Sequence, residues 1–597
     1  MRTTLSILLT CLFLLASSSI SSAQEADWRT DFEKSGGVAS PDHDETMRYL
    51  RRLDSASRWI MLTSFGRTPQ GRDLPLLILA KDGEFTPAEA QASGKDILLI
   101  QAGIHAGEID GKDAGIMLLR EIAVTGSLSR LADSAIILFM PIFNLDGHER
   151  RSPYNRINQN GPEVMGWRST AQNLNLNRDY MKADAPEMRA WLRCFNAWLP
   201  DMLIDCHVTD GIDFQYNLTY AMEVHGNMAP PVTAWERELE QYCIAGMEER
   251  GDPVAPYAWP RERSDLSKGL VDWASPPRLS TGYAAVRNRA NLLIETHMMK
   301  PYADRVTATY RMLQLVLQFV RDHPGSLRAA VDRAEAQDLV RFANMDTTGV
   351  ALAFRSAGGT RNFRFLGYAS ETVESPVSGG TYVRWDRNRP MEATIPLLDD
   401  VQPTVTVQPP FAYLIPQEWR DVIEVLRLHN VQLHRLTAEV TLVVESTVFS
   451  EPEWRDTPYE GRFTVTAQQR SRVDTMTFPE GTYVVNMAQA SARAALHLLE
   501  AQAPDSFVYW GFFNAVFERK EYFEDYVMEA MAPDMLKADP VLRVEFEQRL
   551  ETDSAFAASP RDRLMFFYER SPYWDSHKDV YPVRRLLRPQ RLPMRRE

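Results

Sequence analysis

Between residues 74 and 320 short apolar runs alternate with amphipathic stretches of helical period, and no other feature restricts the fold as much. Runs at 74–81, 96–100, 135–140, 202–205 and 291–294 read as buried strands. Residues 44–53, 112–123, 186–198, 232–247 and 302–320 carry apolar side chains at helical spacing, as Met47, Leu50 and Leu53 do. Strands this apolar need cover on both sides. The expected fold class is therefore α/β, a mostly parallel mixed sheet with helices on both faces.

The pattern then changes. From about residue 337 to 483 the chain turns to short alternating stretches broken by Gly-Gly, Pro-Pro and Pro-Glu-Gly turns, interrupted by one helix at 419–428. After about residue 488 it reads as helical again and ends in a basic tail at 584–596. No fixed-period repeat is present. The 597 residues, at roughly 100–200 per domain, divide into a signal segment (1–23), an α/β domain (24–328), a β-rich domain of unassigned role (329–485) and a mainly helical carboxyl-terminal region (486–597).

The amino end has its own logic. Arg2 precedes an apolar run at 5–16 and a small-residue end, Ser21-Ser22-Ala23, as in a secretory signal cleaved before Gln24. That run is shorter than the roughly 20 residues a membrane span needs, so no integral membrane segment is expected and the mature chain should be secreted or periplasmic. With 66 Lys+Arg against 80 Asp+Glu the formal charge is −14, which leaves no general basic field for nucleic acid. Beyond the signal only Cys194, Cys206 and Cys243 remain, so disulfides do not organise the fold.

Residues able to carry chemistry collect at predicted strand ends. His105 and Glu108 follow the strand at 96–100, in a loop whose Gly103 and Gly107 permit tight turning. His207 follows the strand at 202–205, and Glu295 ends the strand at 291–294, where a carboxylate needs a cation or a wet crevice. His497 and Glu500 share the His-x-x-Glu spacing but lie in an amphipathic helix, far from any strand end, and read as a structural pair. Two neutral imidazoles and one carboxylate can hold a zinc ion with a position open for water.

This arrangement resembles the zinc metallocarboxypeptidase family related to carboxypeptidase A, over roughly residues 40–325. The family's first ligand motif matches His105 and Glu108, its third ligand His207, and its general base and acid Glu295 in Leu293-Ile294-Glu295-Thr296-His297. Asn144-Leu145-Asp146-Gly147, Asn175-Leu176-Asn177-Arg178 and the Gly71-Arg72 segment resemble three further family pieces. The resemblance implies a carboxypeptidase-like sheet, one zinc ion per chain, and a peptide substrate with a free carboxyl-terminal carboxylate bound by Asn177 and Arg178. It implies an oxyanion-stabilising role for Arg168. Two positions depart from the pattern. Asn175 stands where the family usually places Asp, and Ser275 after Asp272-Trp273-Ala274 leaves the family tyrosine unplaced, with Tyr283 as the substitute.

The expected function is hydrolysis of carboxyl-terminal residues from peptides by metal-activated water. A zinc amidase or deacylase on the same scaffold, acting on cell-wall peptides or N-acyl amino acids, uses the same donors and remains an alternative. A binding protein without turnover is the second.

Overall fold

The computed structural model describes residues 27–346 and 348–597; the expected signal at 1–23 lies outside the described residues. The first unit is built on an eight-stranded sheet. Its strands are β1 (Ile60–Arg67), β2 (Asp73–Leu79), β3 (Asp96–Ala102), β4 (Ala135–Met140), β5 (Met202–Thr209), β6 (Leu218–Ala221), β7 (Val254–Pro256) and β8 (Ala290–His297). Across the sheet they run β1-β2-β4-β3-β5-β8-β6-β7. The central run β4-β3-β5-β8 is parallel, β1 and β2 pair antiparallel with their neighbours, and β6 pairs antiparallel with β8 but parallel with β7. The sheet is thus mixed and mostly parallel, as its apolar runs require.

Alternate side chains of these strands feed two cores. Leu77, Leu79, Leu98, Ile100, Ile137 and Ile204 pack with apolar side chains of helices Asp110–Ala123, Pro230–Glu249, Tyr302–Asp322 and Ser326–Ala343. The helix Ser326–Ala343 gives Leu327, Ala330, Val331 and Ala334 to this core, so a boundary at residue 328 cuts through an element of the first unit. Leu76, Ile78, Leu99, Leu138 and Leu203, on the opposite face, pack with Met188, Trp191 and Phe195 of the helix Pro186–Trp198. That second core runs on without a break into Val422, Leu426, Leu496 and Phe513 of the carboxyl-terminal half. One side of the eight-stranded sheet is therefore covered partly by chain made hundreds of residues later.

The carboxyl-terminal half is β-rich with a helical segment, as expected, but its parts interlock. A seven-stranded sheet joins Ala412–Ile415, His434–Leu436, Val440–Trp454, Val465–Phe478 and Tyr483–Asn486 with Arg584–Leu586 and Met594–Arg596. The basic tail supplies two of these strands, and the helices between 525 and 568 pack around a small core of their own. Two long ribbons project from this half. Arg361–Glu374 pairs with Thr381–Leu398, and the end of the latter adds to the short strand Leu270–Val271 of the first unit. Val440–Trp454 pairs with Val465–Phe478. Among the described residues no helix is long and apolar enough to cross a membrane, and Cys194, Cys206 and Cys243 are buried free thiols.

Candidate metal centre and cleft

The parallel centre of the sheet delivers the site. In parallel sheets the strands' carboxyl ends open onto one crevice, and β3, β5 and β8 are neighbours whose ends lie side by side. His207, near the end of β5, is the register partner of Glu295, near the end of β8. His105 and Glu108 follow β3, in the loop before the helix Asp110–Ala123. Gly107 is required there, since a Cβ would stand 2.8 Å from Arg156 Cγ and 2.9 Å from the Gly166 carbonyl.

The donor atoms of His105, Glu108 and His207 all lie within 4.8 Å of one another, and the three residues are buried. Nδ1 of each imidazole stands 3.1 Å from Glu108 Oε2. The opposite ring nitrogens are committed elsewhere: His105 Nε2 donates to Asn175 Oδ1 at 3.1 Å and His207 Nε2 to Asp205 Oδ2 at 2.7 Å. With those protons placed, two Nδ1 lone pairs converge on a carboxylate oxygen, an arrangement of acceptors that calls for a cation between them. The donor set of two imidazoles and a carboxylate suits zinc, and partners on the far ring nitrogens fix ring orientation and raise ligand basicity.

The electrostatics agree. Burial brings His105 down to about 4, which keeps its imidazole neutral. Without a cation, the Asp205 and Glu108 carboxylates outweigh burial at His207 and raise its pKa well above the ordinary value. Despite burial, His105, Arg156 and His207 hold the Glu108 carboxyl well below its usual range. Burial pushes Glu295 up to about 8, helped by the charges of Glu108 and Asp205 and opposed by His207.

A cavity of about 310 Å³ opens over this cluster, lined by His105, Glu108, His207, Glu295, Arg168, Asn177 and Arg178 among others. Seven of the eight residues singled out in the sequence therefore share one cleft. Tyr283 does not. It is fully buried, packed against Tyr180, Trp191 and Phe195, with its hydroxyl held by Arg287 and His429. Its helix Ser280–Val286 places Ser280 and Thr281 on the cleft and turns Tyr283 inward, which overturns Tyr283 as the cleft tyrosine.

Tyr257 is the tyrosine that lines the cavity, between the short strands Val254–Pro256 and Trp259–Pro260. Burial and then the charge of Glu295 raise its hydroxyl pKa. Arg156 is a second residue absent from the sequence reading; its Nη2 lies 2.7 Å from Glu108 Oε1, beside Arg168 Nη1 at 3.2 Å. Two clamped loops support the cleft. Asn144 accepts from Gly147 N and donates to the Arg168 carbonyl, while buried Asp146 takes Thr68 Oγ1 at 2.8 Å and Arg72 Nη1 at 2.6 Å. Asn177 Oδ1 accepts from Ser280 N, tying residues 176–178 to the helix Ser280–Val286. His497 and Glu500, the same-spacing pair, are buried in the carboxyl-terminal core, where Glu500 meets Tyr413 and Arg585.

Comparison with known proteins locates the same segment. The zinc carboxypeptidase family model matches residues 46–220, which hold all three donors, Arg168, Asn177 and Arg178; Glu295 lies beyond them. Carboxypeptidase 2 of Trichophyton rubrum is 24% identical over 495 residues, covering 80% of this chain and 85% of that protein. The probable carboxypeptidase 2 of Arthroderma benhamiae is 23% identical over 489 residues, covering 79% and 86%. Among solved structures, carboxypeptidase A from Helicoverpa armigera covers 55% of this chain and 81% of its own at 14% identity and a TM-score of 0.36. A metallo-carboxypeptidase from Burkholderia cenocepacia covers 47% and 69% at 18% identity and a TM-score of 0.36. The zinc carboxypeptidase family model thus spans the segment that supplies the whole donor cluster, and in that segment the chain is similar to the zinc carboxypeptidases.

Proposed function

We propose that the chain is an exported, zinc-dependent carboxypeptidase that removes residues from the free carboxyl end of peptides. The observation that carries this reading is the convergence, on one cavity, of the His105–Glu108–His207 cluster with Asn177, Arg178 and Glu295. One zinc ion per chain would be held by His105, Glu108 and His207, where it would supply Lewis acidity and lower the pKa of bound water toward about 7.

The chain's own residues do the rest. Arg178 and Asn177 bind the terminal carboxylate, the guanidinium offering parallel N–H donors that suit two oxygens. Glu295 takes a proton from the attacking water at its carboxylate and returns it to the leaving amine nitrogen. Its place on the same cavity as the donor cluster lets one carboxylate serve both transfers. Arg168 donates to the oxygen on which negative charge develops. Tyr257 and Trp273 wall the cleft and limit water. Export rests on the amino-terminal apolar run and its small-residue end.

The test is a mixture of free-ended and carboxyl-amidated peptides given to purified protein, with and without a chelator, and analysed by mass. Free-ended peptides should shorten by single residues from the carboxyl end, amidated ones should persist, and the chelator should stop the reaction. Equal cutting of both peptide sets would overturn the exopeptidase reading.

A further inference from the structure

The loop that joins the ribbon strands Val440–Trp454 and Val465–Phe478 reaches from the carboxyl-terminal half to Asn175, behind the donor cluster. At its tip Tyr459 and Arg462 form an antiparallel bridge around Glu460 and Gly461. Both central residues have positive φ, 50° at Glu460 and 80° at Gly461. A two-residue turn of this kind favours Asn or Asp before the Gly; a Glu there is strained, and such strain persists where surroundings or function hold it. The tip is anchored. Arg462 grips Asp184 with two hydrogen bonds, Nε to Oδ2 at 2.7 Å and Nη2 to Oδ1 at 2.6 Å, and Tyr459 stacks on Trp510.

So fixed, the Glu460 carboxylate accepts the backbone N–H of Asn175 at 2.8 Å, a contact between residues 285 positions apart. Asn175 has two further tasks. Its side-chain oxygen accepts from His105 Nε2 at 3.1 Å and from the Asn177 backbone N–H at 3.0 Å. The direction of that oxygen follows the backbone at residue 175, so Glu460 is two hydrogen bonds from the His105 ring and two from the segment carrying Asn177 and Arg178.

We propose that Glu460 is a positioning residue of the cleft: the carboxyl-terminal region, through this one carboxylate, fixes the amide that orients His105 for metal and aligns the segment for the substrate carboxylate. The inference rests on the zinc reading above. The β-rich half then has an assigned task, as a built-in outer support of the metal centre and not merely a neighbouring module.

The test uses the full chain. Glu460→Gly removes the carboxylate and also the strain of a side chain at positive φ, so its Tm should equal or exceed that of the unsubstituted protein. Its affinity for zinc alone, measured by competition with a chromophoric chelator, should nevertheless fall about tenfold, at the lower end for residues that support a metal ligand. KM for a free-ended peptide should rise several-fold, with a smaller change in kcat. Glu460→Gln keeps an acceptor oxygen and should stay within about threefold of the unsubstituted protein in zinc affinity. Glu460→Gly binding zinc as tightly as the unsubstituted chain would overturn the proposal, and so would Glu460→Gln losing as much affinity as Glu460→Gly. The zinc measurement needs no peptide. A chain that shows this affinity loss yet cleaves nothing would end the carboxypeptidase reading and leave the role of Glu460 standing; an active chain whose zinc affinity ignores Glu460 would do the reverse.

Discussion

Glu295 and His207 are register partners on adjacent parallel strands, so the proposed general base and one donor of the metal cluster are fixed to each other by the backbone ladder of the sheet. Replacing Glu295 with its amide keeps size and packing. Glu295→Gln should retain zinc at the same stoichiometry while kcat falls by about 10²–10⁴-fold, the range general acid–base catalysis supplies. Elemental analysis and steady-state kinetics on one preparation measure both, and turnover at the normal rate would remove Glu295 from the mechanism.

The donors themselves should behave differently. His105→Ala and His207→Ala each take one imidazole from a three-residue cluster. Bound zinc should drop well below one per chain after dialysis, and added zinc should restore little activity. Full metal content in either variant would show that the cation sits elsewhere.

Two tyrosines separate the cleft from the core. Tyr257→Phe should lower kcat/KM, because its hydroxyl belongs to the cleft. Tyr283→Phe should leave kcat/KM unchanged and lower stability by about 1–2 kcal/mol, since Arg287 and His429 lose their partner in a closed interior. Denaturant unfolding beside kinetics distinguishes them; the opposite pattern would restore Tyr283 to the cleft.

Arg278 lies on the segment that brings Leu279, Ser280 and Thr281 to the cavity, and points away from it. Its side chain pairs with the fully buried Asp505 at 2.8 Å and lies over the Tyr509 and Trp510 rings. Arg278→Ala leaves that carboxylate without its counter-charge, at a cost of about 3 kcal/mol. Tm should fall, and KM should rise as Leu279–Thr281 loosen. An unaltered KM at temperatures where the variant is folded would show that the clamp serves stability alone.

Glu187 gives the fold a pH dependence. Burial, with Asp146 and Asp179 adding to it, raises its carboxyl to about 7, and neither oxygen has a side-chain partner. An acid whose folded pKa exceeds the ordinary value binds more protons folded than unfolded between the two. Its stability is therefore fully present below about pH 4.5 and is lost as pH rises through about 7. Glu187→Gln should flatten that part of the stability curve and stabilise the chain at pH 8 by about 2–3 kcal/mol. Urea titrations at pH 5 and 8 test this; an equal difference between the two pH values in both proteins would remove Glu187 as its source.

What could be read from the residues follows from how parallel sheets work. His105, His207 and Glu295 were legible because each ends or follows an apolar run, and strand ends in such a sheet share one crevice. Asn175, Asn177 and Arg178 were legible by resemblance alone, since the short turn Leu176–Arg178 has no periodicity. Tyr257 and Arg156 carry no pattern: one lies between strands of three and two residues, the other in an irregular loop defined by its approach to Gly107. Glu460 reaches Asn175 across 285 positions, a relation only tertiary structure can create. The domain limits at 328 and 486 rest on composition, which has a related blind spot. A shift in composition marks neither a helix that goes on packing against the sheet, as Ser326–Ala343 does, nor three-residue strands such as Arg584–Leu586.

That last strand has a consequence for biosynthesis. Arg584–Leu586 lies inside the seven-stranded sheet, between Val440–Trp454 and Ala412–Ile415, and Met594–Arg596 closes its far edge. Synthesis must pass residue 596 before this sheet can be completed, and the ribbon whose tip meets residue 175 grows from it. A chain that stops short of residue 584 thus holds every metal donor but lacks the finished support around them, so the donor cluster and its outer brace are completed at different stages of synthesis.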